Sequence, residues 1–177
     1  AGNFQYKSDY SAASANAYEY YAGTNKVKQV TLKGNQGTDT FTYDNNGNLT
    51  HRNGLQETIY NGFNKPTTIN RNGASMSFVY GADIMRYRQE RDEGAGTVIT
   101  HYIDKHYEVE FNGTVSLQNK RWKAYVSDVA IVSDKAEGGE ANIHFTMRDR
   151  LGSAVTFADH NGYTVARRHF DPFGKPL

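Results

Sequence analysis

The sequence predicts an all-β fold of antiparallel hairpins, and three observations predict it. The first is a tyrosine-led unit that recurs with a period of about 20 residues. It runs from Tyr21 to Val27, Tyr43 to Thr50, Tyr60 to Thr67 and, in worn form, Tyr80 to Tyr87. After its tyrosine each full unit carries a short polar stretch, a step such as Asn25-Lys26, Gly47-Asn48 or Asn64-Lys65, and then an apolar or β-forming residue. The second is a pair of Asn-Gly steps, Asn53-Gly54 and Asn72-Gly73, set between runs that alternate with period two. Few short-range signals specify a hairpin as strongly. The third is composition: with 13 Tyr, 9 Phe and no Cys, the chain buries area through aromatic rings spread along a sheet, not through a disulfide framework.

In chain order, Ser8 to Tyr21 has the best local helix composition but no apolar stripe, which predicts a loop or a short helical turn. Thr38 to Tyr43 alternates, so Phe41 and Tyr43 share one face and Thr40 and Thr42 the other. Asn45, Asn46 and Gly47 then supply residues that tolerate positive φ, and Asn48 to Arg52 returns. Leu55 to Tyr60, Pro66 to Arg71 and Ala74 to Tyr80 are strands around the two Asn-Gly steps. Arg86 to Asp92 and Val98 to Asp104 flank a turn over Glu93 to Thr97. His106 to Phe111 alternates, Asn112-Gly113 turns, Val115 to Leu117 continues, and a longer β run extends from Arg121 through Val132. Lys135 to Ala141 reads as an exposed loop. Asn142 to Arg148, Ala154 to Ala158 and Tyr163 to Phe170 complete the strands, with turns at Asp149 to Ser153 and Asp159 to Gly162.

A tyrosine near the end of successive strands falls in register on its neighbours, where rings stack and hydroxyls reach solvent or a backbone carbonyl. Each such cross-strand pair contributes roughly 0.2 to 1 kcal/mol, so the ladder matters by repetition. Tyr21, Tyr43, Tyr60 and Tyr80 therefore read as structural, together with Asp44 and Gly47 of the best-formed turn.

At 177 residues the repeats argue for one domain. Leu, Ile, Val and Phe make up just under a fifth of the chain, but disorder also requires a large net charge, and here it is +1. Adjacent basic pairs occur only at Lys120-Arg121 and Arg167-Arg168, too few for a nucleic-acid stripe. No run reaches the ~18 apolar residues of a membrane span. The start, from Ala1 to Gln5, lacks the regions of a signal peptide, so a soluble segment is expected, with any export signal outside it. Among the histidines, His101 and His106 lie five apart and His144 and His169 stand alone, without the spacing that presents two imidazoles to one ion. No G-x-S-x-G elbow and no phosphate-binding glycine loop is present. No metal, no cofactor and no enzymatic activity are expected.

The last third carries the most specific sequence: Asp149, Leu151, Gly152 and Ser153 in a D-x-L-G-S turn, Asp159 to Gly162 as D-x-x-G, and a terminal Asp171-Pro172-Phe173-Gly174-Lys175-Pro176. With the tyrosine units, this combination resembles the core segment and the YD repeats of Rhs proteins over essentially the whole chain. The resemblance implies a strongly curved, twisted sheet, a segment of a spiral β-shell around a variable C-terminal toxin domain. Residues 1–100 would be the YD-repeat hairpins and residues 101–177 the core-associated β segment, in one sheet without a linker. It also implies partners, namely the remainder of the shell and the enclosed toxin domain, and a secreted or cell-surface location reached by a dedicated secretion system. A twisted sheet of many hairpins curls or closes on physical grounds too.

Related shells cut themselves at an aspartyl centre in a D-P-x-G-L motif. Asp171, Pro172, Phe173 and Gly174 match its first four positions, but Lys175 and Pro176 stand where leucine is required. A two-carboxylate centre needs a second aspartate about 3 Å away, and Asp149 or Asp159 could approach only through folding. Asp171 is thus the one candidate for self-cleavage, with a structural turn as the expected role. A different function, a carbohydrate- or receptor-binding module of a cell-surface protein, would follow if the tyrosines stood exposed in rows. A slice of continuous sheet also exposes strand edges, which predicts self-association through them.

Overall fold

The computed structural model describes residues 2–54, 56–92, 94, 96–113, 120–134, 141–171 and 174–177. Alternation and turn chemistry organise them into fifteen strands that follow one another in a single order, each bonded to its sequence neighbours. They are β1 (Tyr18–Tyr20), β2 (Val27–Thr31), β3 (Thr38–Tyr43), β4 (Leu49–Arg52), β5 (Gln56–Tyr60), β6 (Pro66–Arg71), β7 (Ala74–Tyr80) and β8 (Arg86–Asp92), then β9 (Thr97–Ile103), β10 (Tyr107–Asn112), β11 (Lys120–Val126), β12 (Ala130–Ser133), β13 (Asn142–Arg148), β14 (Ala154–Ala158) and β15 (Thr164–Arg167). The one helical element described is a 3-10 turn at Lys33–Asn35. The expected all-β, antiparallel class is what folds. Contacts group the chain into two compact units, Ala1–Val79 with Arg91–Ala95, and Tyr80–Glu90 with Gly96–Leu177.

Four expectations need correcting. The stretch read as a loop up to Tyr21 ends in β1, which pairs with β2. Ser127 adopts φ 49° and breaks the run from Arg121 to Val132, so that Val126 pairs with Ala130 and two strands replace one. The last strand stops at Arg167 rather than Phe170, because Phe170 instead bridges to Pro176 in a small reversal of its own. Finally, β9 and β10 each sit one residue from their expected span. Leu55, Glu93, Ala95, the expected strand Val115 to Leu117, Lys135 to Glu140, Pro172 and Phe173 lie outside the described residues.

In the first unit the ladder registers put one set of side chains on one face. Val30 opposes Asp39, Phe41 opposes Arg52, Arg52 opposes Gln56, and Thr58, Ile69 and Met76 lie in line. Tyr43, Tyr60 and the buried Phe78 share this face by alternation. The opposite face carries Thr40, Thr42, His51, Glu57, Thr68 and Ser77, the period-two pattern of a half-buried sheet. Residues before β1 add a cover. Ser11 bridges to Leu32, Ala12 N–H donates to Thr31 O at 2.9 Å and Thr31 N–H to Ala17 O at 2.8 Å, and Ser11, Ala17 and Val30 are each only 1% exposed. This segment satisfies backbone groups along β2 that the three-residue β1 is too short to reach.

In the second unit the apolar face is built from Ile99, His101 and Ile103 of β9, Tyr107, Val109 and Phe111 of β10, and Trp122 and Ala124 of β11, each row fixed by the pairing. Ile99, Val109, Phe111, Ala130 and Ala158 are its buried residues. The other face is polar. There Glu108 accepts Lys123 Nζ at 2.8 Å, Tyr102 donates to Gln89 at 3.2 Å, and the Arg86 guanidinium stands 4.4 Å from the Tyr102 ring centre.

Candidate functional site

The repeat is one turn used again and again. In the tyrosine unit at 43, Asp44 N–H donates to Asn48 O and Gly47 N–H to Asp44 O, at 2.9 and 3.0 Å, while Asp44 Oδ1 accepts the N–H groups of Asn46 and Asn48 at 2.9 and 2.8 Å. Asn61 does the same for Phe63 and Lys65, both at 3.0 Å. In the core motif Asp149 holds Leu151 and Ser153, and Asp159 holds Asn161 and Tyr163, all at 2.9 Å. One side-chain oxygen thus satisfies two backbone donors per turn. The donors leave their mark on the acids. The Asn48 side chain, with backbone N–H groups, holds the Asp44 carboxyl below the usual carboxylate range, and the Ser153 N–H does so for Asp149.

The fourth residue of each turn has positive φ: Gly47 at 88°, Asn64 at 58°, Gly152 at 88° and Gly162 at 85°. Each such turn is followed by a register shift. Thr42 pairs with His51 but Tyr43 with Leu49, and the same single-residue bulge recurs after Ile59, Met147 and Phe157. A bulge raises the local twist, so its repetition twists and bends each of these hairpins in the same way. Thr50 and Thr67 sit at the bulged positions and donate their hydroxyls to Thr42 O and Ile59 O, both at 3.2 Å.

The tyrosines tie each turn to its neighbour. Tyr21 donates its hydroxyl to Phe41 O at 2.9 Å and Tyr60 to Leu49 O at 3.0 Å, while the Tyr43 hydroxyl bonds the backbone of Val27. The Tyr21 and Tyr43 rings meet edge to face with centres 6.1 Å apart. Tyr21, Tyr43, Tyr60 and Tyr80 are all half-buried, and burial raises the hydroxyl pKa of the last three. Between turns, Asn64 Oδ1 accepts Asn46 Nδ2 at 3.1 Å and Asn48 Nδ2 at 2.8 Å, an amide link from one repeat to the next that the sequence did not announce.

The worn unit shows what the pattern tolerates. Gly81 replaces the capping Asp or Asn, and a Cβ there would stand 2.8 Å from Asp83 Oδ1. Asp83 has moved into the vacated space and caps Met85 N–H at 3.0 Å. Ile84 occupies the positive-φ position at 62°, although a β-branched residue there costs about 1 to 2 kcal/mol. Ile84 is 36% exposed, so its removal gives up the burial of most of the side chain, which works against the relief of strain. Ile84→Gly is therefore expected to leave stability within about 1 kcal/mol of the parent, because strain relief is offset by the lost burial and by the greater entropy of glycine in the unfolded chain, measured as a nearly unchanged urea midpoint. A markedly lower midpoint would mean that the Ile84 side chain packs more than its exposure indicates.

Asp171 lies in the last such turn. Its N–H donates to Lys175 O, Gly174 N–H donates to its carbonyl, and its Oδ1 accepts Lys175 N–H at 2.9 Å. Asp149 and Asp159 cap the two opposite ends of β14, a strand's length apart. Among the described residues no group of three His, Asp or Glu is placed to hold a metal ion, and no helix is long and apolar enough to cross a membrane.

One cluster went unmarked in the sequence. Asp39, whose side chain is 5% exposed, accepts hydrogen bonds from Tyr10, from Arg52 Nε at 3.1 Å and from both Arg52 Nη2 and Asn53 Nδ2. Arg52 Nη2 also donates to the Tyr10 hydroxyl at 3.0 Å, and Asn53 Oδ1 accepts Thr40 N–H at 2.5 Å. The guanidinium lies over the Tyr10 and Phe41 rings at 5.9 and 5.7 Å. Burial would raise the Asp39 carboxyl, but the hydrogen bonds from Tyr10, Asn53 and Arg52 outweigh it and hold it low. Tyr10 is pushed up to about 12 by burial and by its bond to Asp39. The arrangement pins the segment before β1 to the sheet.

No protein-family model matches the chain, and no curated protein matches it. Solved structures do match. The chain aligns over 90% of its length with TcdB2-TccC3 without its hypervariable C-terminal region, at TM-score 0.60 and 14% identity. The same share aligns with the Photorhabdus luminescens Tc holotoxin pore carrying a TccC3 mutation, at TM-score 0.65 and 14% identity, and with TcdB2-TccC3, at 0.60 and 14%. In each case it spans 10% of the matched chain. The fold is that of a stretch of these toxin-complex chains, in agreement with the likeness of its tyrosine units and core motif to Rhs and YD-repeat proteins.

Proposed function

We propose that this chain is a wall segment of an Rhs-type toxin shell, which encloses and delivers a toxic domain carried by the same parent polypeptide and reaches the outside through a dedicated secretion system. The observation that carries this reading is the strand order from β1 to β15 without a crossover, matched over nine-tenths of the chain to toxin-complex chains. A wall needs continuous backbone pairing and repeated curvature, and the capped, bulged turn supplies both. The tyrosines support the wall over a sugar-binding face. The hydroxyls of Tyr21, Tyr43 and Tyr60 are spent on backbone groups and the rings of all four repeat tyrosines are half-buried, so these residues offer no open stacking platform. In the same reading the segment is not catalytic, and Asp171 closes a turn.

The test is limited proteolysis of the secreted parent polypeptide. The toxic domain is expected to resist cleavage while the shell is intact and to become sensitive once strand pairing is broken by proline at Thr68 and Thr156, in the middles of β6 and β14. Cleavage of the toxic domain at the same rate in both proteins overturns enclosure. Saturable glycan binding that Tyr43→Ala and Tyr60→Ala abolish would replace it with the carbohydrate reading.

A further inference from the structure

The sequence contains six Asn-Gly steps, at Asn46, Asn53, Asn61, Asn72, Asn112 and Asn161. This dipeptide is chemically labile because the unhindered glycine nitrogen can attack the asparagine side chain. Whether it does so in a folded protein depends on two things, a free glycine N–H and a carboxamide able to rotate into line.

Five steps are held. The glycine nitrogen is engaged in three of them: Gly47 N–H donates to Asp44 O at 3.0 Å, Gly113 N–H to Thr97 O at 2.7 Å and Gly162 N–H to Asp159 O at 3.0 Å. The carboxamide is engaged in the other two. Asn61 Oδ1 accepts Phe63 and Lys65 N–H at 3.0 Å, and Asn53 binds Thr40 N–H through Oδ1 and Asp39 through Nδ2. Asn72-Gly73 is different. It forms a two-residue loop in which Arg71 pairs directly with Ala74, φ is 48° at Asn72 and 82° at Gly73, and Asn72 is exposed. Among the described residues neither its carboxamide nor the Gly73 N–H has a hydrogen-bond partner.

We propose that Asn72 is a site of spontaneous deamidation in the folded protein and that the fold protects the other five steps. The Gly73 nitrogen attacks Asn72 Cγ, a C–N bond forms, the Cγ–Nδ2 bond breaks, and the amide nitrogen leaves as ammonia with the Gly73 proton. Water then opens the cyclic imide at either of its two C–N bonds and leaves aspartate or isoaspartate. Water is the only other reactant, and no oxidant is required. Isoaspartate lengthens the backbone inside a two-residue loop that cannot absorb an extra atom, so it weakens the pairing of β6 with β7. The new carboxylate also adds a negative charge to the shallow surface that Glu57 and Arg71 line with Asn72.

The experiment is incubation of the folded chain in mildly alkaline buffer, with peptide mapping by mass spectrometry and isoaspartate detection by enzymatic methylation. Asn72 is expected to convert at least about tenfold faster than any other Asn-Gly step, the factor set by opening one or two hydrogen bonds at the protected sites. In urea the six steps are expected to react at similar rates, and Asn72→Gly, which keeps the positive φ, is expected to remove the early product. A different step leading in the folded chain overturns the proposal, as does a folded chain that stays unmodified while the unfolded one converts.

Discussion

Truncation of Arg52 to alanine is expected to destabilise the first unit by about 2 to 4 kcal/mol, below the upper end for a fully buried pair because a third of the Arg52 side chain is already in water. The cost arises from what remains. Asp39 would keep its burial but lose the cation that neutralises it, and Tyr10 would lose a donor that fixes its hydroxyl. Replacing both charges, as Asp39→Val with Arg52→Leu, is expected to cost less than Arg52→Ala alone, since an unpaired buried charge is worse than an apolar pair. Urea unfolding followed by far-UV circular dichroism, with hydrogen exchange at the Thr40 amide, reads both. If the double variant is the more damaged, the cluster acts through shape and not charge.

The same cluster fixes a pH dependence. Asp39 is held below its unfolded value, so its contribution is present above the ordinary aspartate range and is lost as pH falls through the lower folded value. Tyr10 runs the other way. Its folded value of about 12 exceeds the unfolded one, so its contribution is complete below about pH 10 and disappears between there and pH 12. Wild-type protein should show a stability plateau that falls at both ends. Arg52→Ala should lower the plateau and move the acid fall to higher pH, because Asp39 without its cation protonates more readily. An unchanged acid limb would show that Asp39 does not report on folding.

The legible part of the fold was the part written locally. In Thr38–Tyr43, Pro66–Arg71, Ala74–Tyr80, Asn142–Arg148 and Ala154–Ala158 the strand limits follow from alternation stopped by Asn, Gly or Asp, residues whose turn chemistry acts within five positions. The hairpin at Ser127 was not legible because serine signals positive φ only weakly, and β1 was not because three residues show no period. The Asp39 cluster joins positions 10, 39, 52 and 53, which no local pattern connects. One sign was available. Asp39 stands at the inward position of a strand whose other inward residues are Phe41 and Tyr43, and an acid on that face needs a partner.

In the second unit, Phe111→Ala is expected to cost about 3 kcal/mol, the low end for a buried phenylalanine, since a single sheet can relax around the lost ring more readily than a two-layer core. Phe111 is 9% exposed, meets the His101 ring edge on at 6.0 Å and lies opposite Ile99. Its removal takes the ring from the most buried row of that face and leaves the His101 imidazole beside a cavity. Trp122, the single tryptophan, is a built-in reporter. It pairs with Val109 on the neighbouring strand and stacks on Tyr107 at 5.9 Å, so its fluorescence follows unfolding of this face. Phe145→Ala supplies the contrast. That ring is 46% exposed, so its loss is expected to cost roughly half as much, about 1 to 2 kcal/mol. The ratio of the two costs measures how much of the apolar face the chain covers by itself. Should Phe145→Ala prove as damaging as Phe111→Ala, residues near β13 must be covered in solution, and self-association through that face would then be the first thing to measure by sedimentation.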